Sequence, residues 1–249
     1  MTQAYPMDFP AGRTLPEEIR KAMERVKRYG VVYPPGYCET LVQKYEREPI
    51  PYPHILMIIG EPRINTHFGY PRILEQEGRF LDYGCGTGDN IRQLIRDGYR
   101  RDNIRAFDIN RASIDLGFDL YRDRADIGDV FVVSEDFPYG EAGFDTVYSA
   151  SVFHVIPGDA ELREYLHNAY STLDTGGVFF GSTLGVEDGT RPSPARWGPP
   201  RVITKTQLEK CLTGAGFSSP MLVRREHTHH QVNEQERLYY FEFYAEKSR

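Results

Sequence analysis

Residues Phe80-Leu81-Asp82-Tyr83-Gly84-Cys85-Gly86-Thr87-Gly88-Asp89-Asn90 decide the fold. An apolar run suited to a buried strand breaks into glycines at alternate positions and then enters a helical pattern. Glycine is required where the backbone takes φ > 0 or where a ligand approaches it closely. A loop that ends at a helix N-terminus also offers free N–H groups to a polar or anionic guest. The dinucleotide fingerprint is spaced G-x-G-x-x-G. Here the spacing is G-x-G-x-G, with Asp82 two residues before the first glycine. The stretch reads as a nucleotide-cofactor loop, but not of the dinucleotide form.

Asp108 follows Gly88 by about twenty residues and ends the run Ile104-Arg105-Ala106-Phe107, where an acidic side chain can hold both hydroxyls of a ribose. Between them, Ile91, Leu94 and Ile95 fall at helical spacing. Further strands are expected at 130–133, 144–148 and 178–181, with helices at 114–121 and around Leu162 to Leu173. Strands alternating with helices imply a parallel sheet covered on both faces. Met221 to Arg224 and Leu238 to Ala245 have no helix between them, which predicts a terminal antiparallel β-hairpin. Such an ending is unusual for a nicotinamide-binding domain.

Residues 1–75 precede this unit and read as an N-terminal helical cap, leaving 76–249 as the α/β domain. Thr14-Leu15-Pro16-Glu17 has the capping-box pattern, Leu15, Ile19, Met23 and Val26 share one face, and Gly30 supplies a stop. A second helix carries Leu41, Val42 and Tyr45 and ends by Pro49; prolines make the following stretch irregular. Tyrosines are dense in this cap. They suit half-buried core positions, and Tyr33 and Tyr37 are also candidates to line an acceptor pocket.

With 249 residues, 40% of them hydrophobic and 27% charged, the chain has the size and composition of one α/β domain with additions. A net charge of −6 argues against electrostatic binding of nucleic acid. Arg92, Arg96, Arg100, Arg101 and Arg105 read as a solvated helical flank. Cys38, Cys85 and Cys211 lack metal-ligand spacing, and their odd number disfavours a disulfide framework. The longest aliphatic run, Ile55 to Ile59, is far shorter than a membrane span. The expectation is a cytoplasmic protein with a small-molecule substrate, no nucleic-acid or membrane partner and no metal; the oligomeric state is left open.

The loop with Asp82 resembles motif I of the class I S-adenosylmethionine-dependent methyltransferases, and 80–90, 104–110, 134–138, 143–154 and 171–182 resemble that class's successive motifs. A narrower likeness, over about residues 45 to 155, is to fungal secondary-metabolite methyltransferases that methylate carboxylates on polyketide or terpenoid intermediates. It is carried by Tyr70-Pro71-Arg72-Ile73-Leu74, by Ile114-Asp115-Leu116-Gly117-Phe118-Asp119-Leu120-Tyr121 and by Ser149-Ala150-Ser151-Val152-Phe153-His154. Where that group often has a second cysteine and an aromatic, this chain has Gly86 and Thr87. The resemblance implies a Rossmann-like seven-stranded, mostly parallel α/β sheet and S-adenosylmethionine as cofactor. Asp82, Gly84, Cys85, Gly86, Gly88, Asn90, Asp108, Ile109, Asp136, Phe137 and Ser149 are then the cofactor residues, with Asp136 at the adenine amino group and Phe137 beside its ring.

The acceptor should lie beyond the carboxyl ends of the same strands. His154 is the candidate catalytic residue, as a general base or as a hydrogen-bond donor to the acceptor; a hydrogen-bonded structural histidine is the competing reading. The stretch 182–203 is rich in Gly and Pro and holds the sole tryptophan, so Arg191 and Trp197 are candidate acceptor contacts. His229, in the run His227-Thr228-His229-His230, is placed by topology at the tip of the hairpin, as part of a polar turn near the pocket. The expected chemistry is methyl transfer to a small acceptor, most readily to a carboxylate or hydroxyl oxygen. The alternatives are a methyltransferase-fold protein that catalyses cyclisation or rearrangement, and a non-catalytic cofactor-binding partner subunit. A nicotinamide oxidoreductase fits the glycine spacing less well.

Overall fold

The computed structural model describes residues 12–50, 54–134, 141–189, 202–231 and 237–248, and for 227–231 and 237 the backbone alone. Strands β1 (Phe80–Tyr83), β2 (Ile104–Asp108), β3 (Phe131–Val133), β4 (Phe144–Ala150) and β5 (Leu173–Val186) run parallel to their neighbours. A two-residue strand β6 (Ile203–Thr204) adds in parallel to β5. Strands β7 (Phe217–Gln231) and β8 (Arg237–Lys247) pair antiparallel, and β8 also pairs antiparallel with β5. The spatial order is β3-β2-β1-β4-β5-β8-β7. The expected seven strands and terminal hairpin are therefore present, and β6 makes an eighth strand. Inserting β8 between β5 and β7 removes β5 from the sheet edge.

The N-terminal helices are α1 (Leu15–Val26), α2 (Tyr37–Arg47) and α3 (Ile55–Ile58). Helices α4 (Tyr70–Gln76), α5 (Asp89–Arg96) and α6 (Arg111–Tyr121) contribute Ile73, Leu94 and Phe118 to one face of the sheet, packed with Phe80, Tyr148 and Phe180. A one-turn helix α7 (Arg124–Ile127) precedes β3. Helices α8 (Asp159–Thr172) and α9 (Lys205–Gly214) cover the other face with Leu166 and Leu208, against Phe179 and Phe243. Strands buried on both faces read as unbroken apolar runs, which is why β1 shows no alternation. Fully buried phenylalanines such as Phe80, Phe144 and Phe179 each stabilise the fold by about 1.5–3 kcal/mol.

The N-terminal helices dock through a third apolar cluster in which Ile19, Val26, Leu41 and Leu56 meet Leu116, Leu120 and Tyr121 of α6. Thr14 does stand at the N-cap of α1, but its side chain makes no capping bond. The box that does form is Thr204 with Gln207, at the start of α9. The stretch 227–230, expected at the tip of the hairpin, continues strand β7 instead of turning, and residues 232–236 lie outside the described residues.

Candidate cofactor and acceptor site

The glycine loop is shaped by its backbone. Gly84, Gly86 and Gly88 sit at φ of 86°, 56° and 76°, a region in which a side chain is strained. The Gly84 and Cys85 N–H groups donate to the Phe107 carbonyl at 2.8 and 3.0 Å, and the Gly88 N–H donates to the Cys85 carbonyl at 2.9 Å. Close packing reinforces the φ requirement, since a Cβ on Gly84 would come 2.5 Å from Val152 Cγ2, in the segment after β4. On Gly117 of α6 it would come 2.1 Å from the Thr87 carbonyl oxygen. That helix lies directly on the loop because residue 117 has no side chain.

Two carboxyl groups frame the loop. Asp108 Oδ2 accepts from the Gly86 N–H and Oδ1 from the Asn110 N–H, both at 2.8 Å. Burial pushes the Asp108 carboxyl above the ordinary carboxylate range, and these backbone donors pull it back. Asp82 is buried at 1% exposure. The Asn90 side chain approaches it, yet neither of its oxygens has a hydrogen-bond partner of normal geometry. Burial, and then the nearby Asp108, hold the Asp82 carboxyl well above its ordinary value. A buried carboxylate without a donor is costly unless a ligand supplies one. Asn90 itself fixes the entry from the cap: its Oδ1 accepts from the Arg63 and Ile64 N–H groups at 3.1 and 3.2 Å. Ile109, just past Asp108, is 58% exposed, an apolar surface beside the candidate ribose carboxylate.

Ser149 is fully buried at the end of β4, its Oγ 2.8 Å from the Tyr165 hydroxyl. The Tyr165 hydroxyl donates to the Tyr83 carbonyl at 2.7 Å, so Ser149 is the donor in that pair. The Tyr165 ring stacks on Tyr83 at 4.0 Å, making a rigid floor under the segment after β4. Cys85 is buried, and burial pushes its thiol well above the ordinary range, so it serves the loop as a small apolar group. His154 lies in the short turn Phe153–Val155 that follows β4 and is partly buried. Ser151, three residues before it, takes φ 61° without being glycine.

Tyr33 and Tyr37 stack on each other at 5.5 Å. Their hydroxyls donate to the Leu120 and Asp119 carbonyls at 2.6 and 2.8 Å. These carbonyls belong to the last turn of α6, which has no intrahelical donors for them. The tyrosines thus join the start of α2 and the segment before it to the end of α6. Asp136, Phe137, Arg191 and Trp197 lie outside the described residues, and of His229 only the strand backbone is described.

Arg92 departs from the solvated flank expected for its cluster. It is 6% exposed, donates to both Asp123 oxygens at 2.7 and 2.8 Å, and donates also to the Thr87 carbonyl. It braces the glycine loop from behind. Arg63 had no periodic signal in its proline-rich connection. Its Nη1 donates to Ser151 Oγ, and its guanidinium lies 4.0 Å from the Tyr240 ring centroid. Among the described residues no group of three or more His, Cys, Asp and Glu is arranged to hold a metal. No described helix is long and apolar enough to cross a membrane.

With this geometry in place, comparison with known proteins gives the class. A family model for a methyltransferase domain matches residues 62–219, and the chain belongs to that family. Its fold is that of the S-adenosylmethionine-dependent methyltransferases. The chain superimposes with a TM-score of 0.57 on phosphoethanolamine N-methyltransferase 2 of Haemonchus contortus, solved with phosphomonomethylethanolamine and S-adenosylhomocysteine. That match has 16% identity and covers 69% of this chain and 49% of the other. Among curated proteins, the O-methyltransferase phiE of a fungal species (strain ATCC 74256) is 30% identical over 108 residues, 39% of this chain and 36% of the relative. The asnovolin E/chermesin D methyltransferase nvfJ of Aspergillus novofumigatus is 31% identical over 103 residues, 37% of each chain. The matched segments span little more than a third of these relatives. S-Adenosylmethionine is the cofactor of the class, and the residues present suit such a guest: a buried carboxyl with no hydrogen bond of normal geometry, a second carboxyl at the end of β2, and a glycine turn open to close approach.

Proposed function

We propose that the protein transfers a methyl group from S-adenosylmethionine to an oxygen of a small organic acceptor. The observation that carries this reading is Asp82, buried beside the glycine loop with neither oxygen in a hydrogen bond of normal geometry. When bound, the cofactor supplies an electrophilic methyl group on a sulfonium. Asp82 accepts from its amino group, Asp108 from its ribose hydroxyls, and the backbone of Gly84, Cys85, Gly86 and Gly88 lies against it. Asn90 orients Asp82, Ile109 and Phe137 flank the adenine, Asp136 meets the adenine amino group, and Ser149 stiffens the floor. In-line displacement requires alignment and exclusion of water more than it requires chemistry from side chains.

His154 orients the acceptor from the turn after β4, with Tyr33, Tyr37, Arg191, Trp197 and His229 as further acceptor-side candidates. For a carboxylate acceptor, ionised at neutral pH, His154 removes no proton; for a hydroxyl it acts as base. Residues 1–75 form the cap and 76–249 the catalytic domain. The name of one relative, an O-methyltransferase, supports the oxygen acceptor. The test is calorimetric titration with S-adenosylhomocysteine, using reduced nicotinamide cofactor as control, followed by mass analysis of products from carboxylic acids and phenols. Binding of S-adenosylhomocysteine alone and products heavier by one methylene are expected. Acceptors rearranged at unchanged mass would replace this reading by cyclisation.

A further inference from the structure

We propose that Ile55, at the start of α3, is a contact of the cofactor, and that Asp89 is the residue that positions it. The proposal rests on the placement of S-adenosylmethionine along the glycine loop given above, and adds to it a wall contributed by the N-terminal segment. The apolar run Ile55 to Ile59 is too short to span a membrane, and its residues divide by what they touch. Leu56 and Ile59 are fully buried among the N-terminal helices and α6, whereas Ile58 is 37% exposed. Ile55 is half-buried and meets the glycine loop: its Cδ1 lies 3.5 Å from where a Cβ on Gly86 would stand. Gly86 is itself only half-buried, so this contact borders the open side of the loop. At the other end of the loop Val152, in the segment after β4, abuts Gly84 in the same way. A guest lying on the backbone from Gly84 to Gly86 is flanked by Val152 and Ile55. Displacement at a sulfonium requires that water be kept out, and an isoleucine supplies apolar cover that the glycine backbone does not.

Asp89 holds this wall in place. An acid at the first position of a helix commonly serves the helix dipole. Both oxygens of Asp89, however, are taken by groups outside α5. Its Oδ1 accepts from the Gly60 N–H and from the Tyr121 hydroxyl, the latter at 2.6 Å, and its Oδ2 accepts from Thr87 Oγ1. One carboxylate therefore joins the chain just after α3, the end of α6 and the glycine loop. Helix α1 presses on the same point from its own side. Gly60 takes φ 85°, and a Cβ there would come 2.9 Å from Arg25 Cβ. Arg25 donates to the Leu56 and Ile59 carbonyls, the groups that a helix end leaves without donors. Beyond Gly60, the Arg63 and Ile64 N–H groups are received by Asn90 Oδ1. The Arg63 side chain continues to the rim beyond β4 and β5, where it meets Ser151 and the Tyr240 ring. The place of Ile55 over Gly86 is thus set by Arg25 on one side and Asp89 on the other. Ile55 is a binding residue and Asp89 a positioning residue that acts through it.

The experiment is calorimetric titration of S-adenosylhomocysteine into wild type, Ile55→Ala, Asp89→Ala and the double variant, with Ile58→Ala as a control on the same helix. Ile55→Ala should weaken binding about five- to tenfold, as expected for losing part of an isoleucine's apolar contact, and Ile58→Ala by less than about twofold. Asp89→Ala should cost about fivefold alone but less than about twofold further in the Ile55→Ala background, because the two residues act in series. Asp89→Asn keeps an oxygen for the Gly60 N–H and should restore most of the affinity. Near-ultraviolet circular dichroism checks that each variant is folded. Hydrogen exchange of the wild type needs no variant and decides the matter if one fails that check. Adding S-adenosylhomocysteine should slow exchange across residues 55–64 by more than in α9, on the opposite face of the sheet. Wild-type affinity in Ile55→Ala, or an equal loss in Ile58→Ala, overturns the proposal. So does a cost of Asp89→Ala that is undiminished in the Ile55→Ala background, or exchange at 55–64 that the ligand leaves unchanged. If wild type fails to bind S-adenosylhomocysteine at all, the methyl-transfer reading itself falls, an outcome separable from the others.

Discussion

The glycine loop and the rim beyond β4 and β5 border each other and are built by opposite means. The loop is held by main chain: glycine dihedral angles, donations to the Phe107 carbonyl, and a Cβ-free face of α6. The rim is held by side chains that reach it from far away in the chain, Arg63 from the cap connection and Tyr240 from the terminal hairpin, with Ser151 between them. Main-chain construction tolerates little change and suits a guest that is always the same. Side-chain construction can be altered one residue at a time, which suits a guest that varies among related enzymes. The difference predicts that loop substitutions abolish cofactor binding, whereas rim substitutions alter selectivity on an intact fold.

The largest effect is expected from Asp108→Ala. It removes the carboxylate proposed for the ribose and the acceptor that orients the Gly86 N–H. Two charge-assisted bonds at about 1.5–3 kcal/mol each correspond to a loss of more than about 100-fold in S-adenosylhomocysteine affinity. Calorimetry checks it, and wild-type affinity in this variant would remove Asp108 from the site. Gly117→Ala comes next and tests the backbone contact directly. Helix propensity alone favours alanine by about 1 kcal/mol. The added Cβ, however, lies 2.1 Å from the Thr87 oxygen, well inside van der Waals contact. Overpacking of this kind costs about 1–3 kcal/mol, so the clash wins. The expected result is a lowered thermal midpoint together with weaker cofactor binding; a stabilised variant would show that α6 can move off the loop.

The same contrast explains what was legible in the sequence. The loop, Asp108 and the strand–helix alternation are local patterns, because each depends on neighbours within one βαβ unit. The terminal hairpin was legible from the missing helix between two apolar runs. Arg63 and Ser151 are 88 residues apart. No spacing rule links them, and their meeting depends on how the cap connection crosses the sheet. Arg92 was misread for a related reason. Its arginine-rich stretch looks solvated, but helical phase turns that one residue inward to Asp123 and the Thr87 carbonyl. The tyrosines of the cap had a visible density, while the carbonyls that Tyr33 and Tyr37 cap lie at the end of α6.

Asp82→Asn should separate stability from binding. A folded-state carboxyl raised above its unfolded value binds its proton more tightly when folded. Its contribution to stability is complete at pH values below the unfolded pKa of about 3.9 and declines as pH rises through the raised folded value. At pH 8 the ligand-free wild type therefore bears a cost for burying this carboxyl that asparagine lacks. Asp82→Asn should raise the thermal midpoint of the ligand-free protein at pH 8, and the advantage should shrink at acid pH. The same change should weaken S-adenosylhomocysteine by about tenfold or more, because a charge-assisted bond to its amino group is lost. Scanning fluorimetry with and without S-adenosylhomocysteine reads both effects. A variant less stable than wild type at every pH would mean that Asp82 has a structural partner and is not waiting for a ligand.

Ser151→Gly is expected to have the smallest effect on the fold and brings the comparison down to one residue. The left-handed backbone at φ 61° costs a non-glycine residue about 1–2 kcal/mol, which glycine avoids. Glycine also loses about 0.5–1 kcal/mol through the greater freedom of the unfolded chain, and the hydroxyl that receives Arg63 disappears. These terms nearly cancel, so unfolding in urea should shift by no more than about 0.5 kcal/mol in either direction. A destabilisation of several kcal/mol would show that the Ser151–Arg63 bond supports the fold itself and would end the distinction between loop and rim. A near-neutral result, with S-adenosylhomocysteine binding intact, would mean that the strain at Ser151 is retained for the position it gives the Arg63 guanidinium and not for stability.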